Sequence, residues 1–259
     1  MATSFAISPD GTRIAYDVTG TGASIMLLHG GGHTRRHWHD GGYVERLEKD
    51  FRVITLDIRG NGESDKPVHA SYYTTDKHTQ DLLAVADTCN VERFTIWGFS
   101  YGANIGRYLA AQSSRVAKII IIGIPFGLGA SGNFRQSIIN FRDRWGTILQ
   151  AKSEGTLDLA TLSKKEQDEL QSGNVLISLA WLSAMLDWRA IDPNDLLCPA
   201  LWLIGSKNEG AIASTREYEK ALQTSQVRVQ IVGELDHKQE FTEIDQVFPA
   251  MLAFTQSVA

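Results

Sequence analysis

Gly98-Phe99-Ser100-Tyr101-Gly102 is the stretch of this chain whose residue types and spacing point most directly to chemistry. It follows the apolar run RFTIW and opens the helix-like segment YGANIGRYLAAQ. A serine hydroxyl becomes a usable nucleophile when a tight strand-to-helix turn holds it clear of its neighbours. That turn strains the backbone, and its glycines let nearby chain pass where a Cβ would collide. The bare five-residue pattern is common by chance, so its weight comes from its place between a strand and a helix.

Two further stretches supply what a serine needs. Leu27-Leu28-His29-Gly30-Gly31-Gly32 leaves an apolar run and enters a glycine loop. Such a loop lets a backbone N–H approach an oxyanion closely, with Gly31 the first choice as donor and Gly32 the second. The other N–H would come from Tyr101, the residue after the serine. Near the C-terminus, VRVQIVG runs into Glu234-Leu235-Asp236-His237-Lys238, which places His237 just past a strand. There it is a candidate general base for the serine proton.

These stretches need a scaffold that brings strand ends together. SFAIS and TRIAYDV, split by Pro9-Asp10-Gly11, read as a hairpin. The runs SIMLL, RVITLDI, RFTIWGF, KIIIIGI, ALWLIG and VRVQIVG read as strands buried on both faces, with helical spacing between most of them. That rhythm predicts an α/β fold built on a parallel sheet. It breaks once, where about 75 residues separate KIIIIGI from ALWLIG, far more than a single crossover needs. FRQSIINFRDRWGTILQA, SKKEQDELQS and VLISLAWLSAMLDW inside this interval each predict a helix. The expected organisation is a core over 1–125 and 198–259 with a helical cap over 126–197, whose Trp181 and Met185, with Gly32, are expected to line the substrate pocket.

The serine turn, the glycine loop and the late histidine, together with Asp57-Ile58-Arg59-Gly60-Asn61-Gly62-Glu63-Ser64, resemble the α/β-hydrolase superfamily over nearly the whole chain. The resemblance implies an eight-stranded, mostly parallel sheet, a helical cap inserted after strand six, and a Ser, acid, His triad at the carboxyl ends of the strands. It also implies scaffold roles for Asp57 and Arg59. Relatives commonly read G-x-x-D after strand seven, whereas the stretch here is Gly205-Ser206-Lys207-Asn208-Glu209. Asparagine can orient a histidine through its carbonyl oxygen but brings no negative charge to an imidazolium. Glu209 has the charge, and its extra methylene could absorb a displacement of one residue. Glu209 is therefore the favoured acid, with Asn208 in an uncharged triad or an acid located elsewhere as the alternatives.

The remaining features narrow the field. The net charge of -5 comes from interspersed residues with no basic cluster, which argues against nucleic acid as a partner. Two cysteines, Cys89 and Cys198, imply no disulfide framework. The N-terminal stretch lacks a basic-then-apolar leader pattern, so a cytoplasmic location is expected. The most apolar segment, Val175 to Trp188, is shorter than the ~20 residues a membrane helix needs, so no membrane contact is expected. His33 and His37 have the i, i+4 spacing of paired metal ligands, but no acid or cysteine completes a set, and no metal is expected. The expected function is cofactor-independent serine hydrolysis of a small, fairly apolar ester, lactone or carbon–carbon bond substrate. The alternatives are perhydrolase, lyase or cofactor-free oxygenase chemistry on the same scaffold, or a ligand-binding protein with a decayed triad.

Overall fold

The computed structural model of the chain describes residues 3–257, so the first two and last two residues of the expected core lie outside it. Eight strands form one sheet: β1 (Ser4–Ile7), β2 (Arg13–Thr19), β3 (Ala23–Leu28), β4 (Phe51–Leu56), β5 (Phe94–Phe99), β6 (Val116–Ile122), β7 (Ala200–Gly205) and β8 (Val227–Val232). Their spatial order is β1-β2-β4-β3-β5-β6-β7-β8. The β1–β2 and β2–β4 pairs are antiparallel and every other pair is parallel. The Pro9-Asp10-Gly11 turn closes the first hairpin, where the Gly11 amide donates to the Ser8 carbonyl at 2.8 Å.

The apolar runs fold as strands because both faces of the sheet are covered. Every residue of β5 and of β7 is buried. Alternate residues go to opposite sides: Ile25, Leu27, Trp97, Phe99, Ile120 and Ile122 share a core with aromatic rings such as Trp38, Tyr43, Phe241 and Phe248. The helix Tyr101–Ala110, buried along its whole length, packs on β5 and β6. β8 departs from the expectation of a strand buried on both faces. Only Val227 of its residues is buried, and Ile231 is 49% exposed, because β8 is the edge of the sheet and pairs with β7 alone.

Register decides where the chemistry collects. Leu28 pairs with Gly98, Phe99 with Ile122, and Ile122 with Leu203, so β3, β5, β6 and β7 finish along one edge. Four loops therefore start together there, carrying Gly30, Ser100, Gly123 and Asn208.

The chain divides into two compact units. The sheet and its helices form the first. The second comprises residues 128–189 together with 66–74, a segment that the sequence reading left in the core. Its helices run Gly132–Ser153, Lys164–Ser172 and Asn174–Met185. Ser163 and Glu166 cap the middle helix reciprocally. Trp145, Ile148, Leu162 and Val175 form one apolar cluster, while Trp181 packs with Tyr73, Ala180 and Ala184. Met185 is buried. Phe126 and Gly127, and residues 190–197, belong to the first unit, where Gly127 and Ile191 exchange backbone hydrogen bonds of 2.9 and 3.0 Å. Among the described residues no helix is long and apolar enough to cross a membrane.

Candidate active site

Ser100 sits between β5 and the helix Tyr101–Ala110 with φ 51° and ψ -114°, a conformation that a residue with a side chain adopts only under constraint. The neighbours supply the constraint. A Cβ at Gly102 would lie 2.3 Å from the Leu28 carbonyl oxygen, and one at Gly98 would lie 2.5 Å from the Ala103 Cα. Both glycines of the pattern are therefore required by close backbone approach. The Ser100 amide donates to the Ile122 carbonyl at 3.0 Å, tying the turn to the end of β6.

The serine hydroxyl meets His237, with Oγ 3.0 Å from Nε2. A local device builds the turn that carries this histidine. The Asp236 carboxylate accepts from the Gln239 amide at 2.8 Å, and the Gln239 side-chain oxygen accepts from the Asp236 amide at 3.0 Å. These reciprocal bonds close the turn that holds His237 and leads, through Lys238, into the short helix Gln239–Thr242.

That helix corrects the expected acid. His237 Nδ1 lies 3.0 Å from Glu240 Oε2, three residues onward in sequence, and the Glu240 side chain is fully buried. Glu209 instead begins the helix Glu209–Glu217 and is exposed. Asn208 does not use its carbonyl oxygen on the histidine either. Its Oδ1 accepts from the Ala211 amide at 3.3 Å, capping the same helix. Its Nδ2 donates to both Glu240 oxygens at 3.0 and 3.1 Å and to the Gly123 carbonyl at 2.9 Å. The Gly205 amide adds a third donor to Glu240, at 2.6 Å to Oε1. An ionised carboxylate is acceptor-only, and here donors engage both oxygens. Gly123, at φ 77°, leaves room for the pair, since a Cβ there would lie 2.2 Å from Glu240 Oε2.

The cleft in front of Ser100 holds about 420 Å³ and is lined by first-unit residues alone. Gly30, Gly31, Phe99, Phe241 and His237 are among its lining residues. Gly32 is exposed, turns at φ 72°, and is not among the lining residues. Tyr101 opens its helix, so its amide lies at the positive end of the helix dipole beside the serine. Its hydroxyl shares a hydrogen bond with His78 Nε2 at 2.8 Å, and burial keeps that imidazole neutral by pushing its pKa well down. His29, fully buried, donates from Nδ1 to the Gly30 carbonyl at 2.7 Å and accepts the Ile58 amide on Nε2 at 3.0 Å. Burial pulls its pKa down to about 4, so it is a neutral brace beneath the glycine loop.

The DxRGxGxS stretch behaves as scaffold. Asp57 accepts from the amides of Arg35 and Glu63 at 2.7 and 2.8 Å and from the Arg35 guanidinium. Arg59 pairs with Asp81 at 2.6 Å and Asp10 at 3.0 Å. The two histidines with metal-like spacing also have another arrangement: the His33 and His37 rings stack in parallel, 4.1 Å between centroids, on the wall of the cleft.

With this geometry in view, the profile of the alpha/beta hydrolase fold matches residues 23–238. The chain belongs to the α/β-hydrolase fold family. Among curated proteins it is 24% identical over 251 residues to a putative 2-succinyl-6-hydroxy-2,4-cyclohexadiene-1-carboxylate synthase of Bacillus subtilis, covering 88% of this chain and 89% of that one. Among solved structures, an epoxide hydrolase from hot-environment metagenomes superposes with a TM-score of 0.74 at 21% identity, covering 100% of this chain and 99% of the other. The enol-lactonase of Burkholderia xenovorans LB400 gives 0.72 at 20% identity, covering 98% and 100%. These relatives share the fold and carry different activities.

Glu240 is the functional candidate that sequence reasoning missed. Two signals pointed to it: the D-x-x-Q pattern, whose side chains can close a turn around the histidine, and the acid at i+3 from that histidine.

Proposed function

We propose that the protein is a cofactor-independent serine hydrolase acting on a small ester or lactone. The observation that carries this reading is the unbroken relay from Ser100 Oγ to His237 Nε2 and from His237 Nδ1 to Glu240, with both contacts at 3.0 Å. Ser100 Oγ attacks the substrate carbonyl while His237 Nε2 takes its proton. Glu240 accepts the Nδ1 proton in a hydrogen bond, fixes the productive tautomer and stabilises the imidazolium. The amides of Gly31 and Tyr101 are the donors for the oxyanion. His237 then returns the proton to the leaving oxygen. Water attacks the acyl-serine, His237 takes the water proton, and the acid product departs with Ser100 restored.

Asn208 is a positioning residue in this scheme. It supplies no charge, and it holds the carboxylate that does. A triad counted by strand position would lack its acid, whereas the relay counted by atoms is complete.

A fluorophosphonate probe tests the reading directly. The wild-type chain is expected to form one covalent adduct at Ser100, located by mass spectrometry, and Ser100→Ala none. The folded wild-type chain failing to react, while also failing to hydrolyse p-nitrophenyl acetate and butyrate, would sink the proposal.

A further inference from the structure

The chain as a whole is acidic, with a net charge of -5, but the cleft before Ser100 is lined by three histidines and a lysine. His33, His37, His237 and Lys238 contribute to its wall, and no Asp or Glu does so among the described residues. The adjoining carboxylate, Glu240, is fully buried and already engaged by Gly205, Asn208 and His237. Its oxygens are therefore already engaged before any ligand enters the cleft.

The stacked pair has more specific features. His37 Nδ1 accepts from the Thr34 amide at 3.2 Å, which leaves the ring proton on Nε2 as a donor. His33 Nδ1 is buried and has no hydrogen-bond partner among the described residues. A Cβ built on Gly30 would lie 3.5 Å from it, so this nitrogen sits against the glycine wall of the cleft. Polar atoms buried without partners are costly to a fold, so a small rotation of the His33 ring that brings this nitrogen to a ligand in the cleft would relieve that cost. Burial, and then the neighbouring His37 and His237 rings, push the His33 pKa down. The Nε2–H of His37 is then a neutral donor for an anion held against the pair.

We propose that the His33–His37 pair, aided by Lys238, recognises a carboxylate on the substrate. On the reading of the preceding section, the enzyme then acts on small acyl compounds whose non-reacting end is anionic. Phe99 and Phe241 line the apolar part of the cleft, where a short hydrocarbon spacer between carboxylate and reacting carbonyl would lie.

Two esters with the same number of acyl carbons, p-nitrophenyl hemiglutarate and p-nitrophenyl pentanoate, separate an anionic from a neutral acyl end. The wild-type kcat/KM is expected to favour hemiglutarate by about tenfold, the size of one modest charge interaction. The preference should shrink at about 1 M salt, where the Debye length is about 3 Å. His33→Phe and His37→Phe keep a flat ring in the stack and remove its nitrogens, so each is expected to abolish most of the preference. Lys238→Met, at an exposed position, gives a smaller loss in the same direction and serves if a histidine variant fails to fold. Equal rates for the two esters in the wild type, or a preference untouched by all three substitutions, would overturn the proposal. If neither ester is turned over, the hydrolase reading fails separately, and calorimetric titration of the wild-type chain with glutarate decides the anion site. Saturable binding that weakens in His37→Phe supports the site, and absence of binding rejects it.

Discussion

At the Ser100 turn, backbone contacts of five consecutive residues with the ends of β3 and β6 hold the geometry, whereas at the Glu240 corner side chains from the end of β7 and the turn after β8 share it. Gly98 and Gly102 are dictated by backbone atoms within 2.3 to 2.5 Å of where a Cβ would stand, so their spacing from Ser100 is fixed. At the acid corner the requirement is an oxygen about 3 Å from His237 Nδ1, and a side chain can meet it from more than one backbone position. Here Glu240 meets it, and Asn208 from the end of β7 fills the space beside the carboxylate with a donor. Backbone-determined geometry is bound to sequence spacing. Geometry set by the reach of a side chain can pass from one segment to another.

The comparison can be broken first at the turn. Ser100→Ala is expected to lower kcat for a p-nitrophenyl ester by about 10⁵-fold to 10⁶-fold, as when the nucleophile of a triad acting as a unit is removed. Activity within tenfold of wild type would show that the turn carries no nucleophile. Gly102→Ala probes the backbone requirement without touching a reacting atom. Its Cβ would be driven against the Leu28 and His29 carbonyl oxygens, 2.3 and 2.6 Å away. The chain should lose about 3 kcal/mol in urea unfolding, at the upper end of ordinary overpacking.

The same contrast explains what the sequence disclosed. The strands were legible because their continuous apolar runs are buried on both faces, and the helices of the insertion because of the helical spacing within its three segments. β8 misled because an edge strand can have the apolar composition of a central one while half of it faces solvent. Ser100 and His237 stood out by their positions after strands. Glu240 did not, because the usual position after β7 holds Asn208, and its amide has a relation to Glu240 that only folding creates. Gly31 could be ranked above Gly32 as a loop residue, but nothing in three successive glycines tells which of them lines a cleft. The histidine wall was hidden for a related reason: His33 and His37 read as metal-like spacing, and their stacking depends on how the loop turns.

A smaller effect sharpens the account of the glycine loop. His29 has an ordinary pKa of 6.5 and one of about 4 in the fold, so the unfolded chain binds a proton there that the folded chain refuses. Folded stability should therefore fall as pH drops from 6.5 towards 4, by about 2 kcal/mol at pH 5 and about 3 kcal/mol at pH 4 from this group. Urea unfolding across that range, compared with His29→Gln, isolates the contribution, and an equally steep loss in both chains would contradict it. The smallest expected effect is at Glu209. Its exposed position at the start of a helix predicts that Glu209→Gln leaves kcat within about twofold of wild type, and a larger fall would restore Glu209 as a participant.

The central claim is that the charge serving His237 has moved from the end of β7 to Glu240. The kcat of Glu240→Gln, measured alone and combined with Asn208→Asp, tests it most directly. Glu240→Gln alone should lower kcat by about 10³-fold to 10⁴-fold, because the imidazolium loses its counter-charge. Asn208→Asp alone should also impair the enzyme, since two carboxylates about 3 Å apart cannot both stay ionised. In the double variant a single carboxylate is back in the corner, 3.4 Å from His237 Nδ1 if it takes the place of the Asn208 amide nitrogen, and kcat is expected to recover at least about tenfold over Glu240→Gln. Glu240→Gln turning over within about twofold of the wild-type rate would contradict the account.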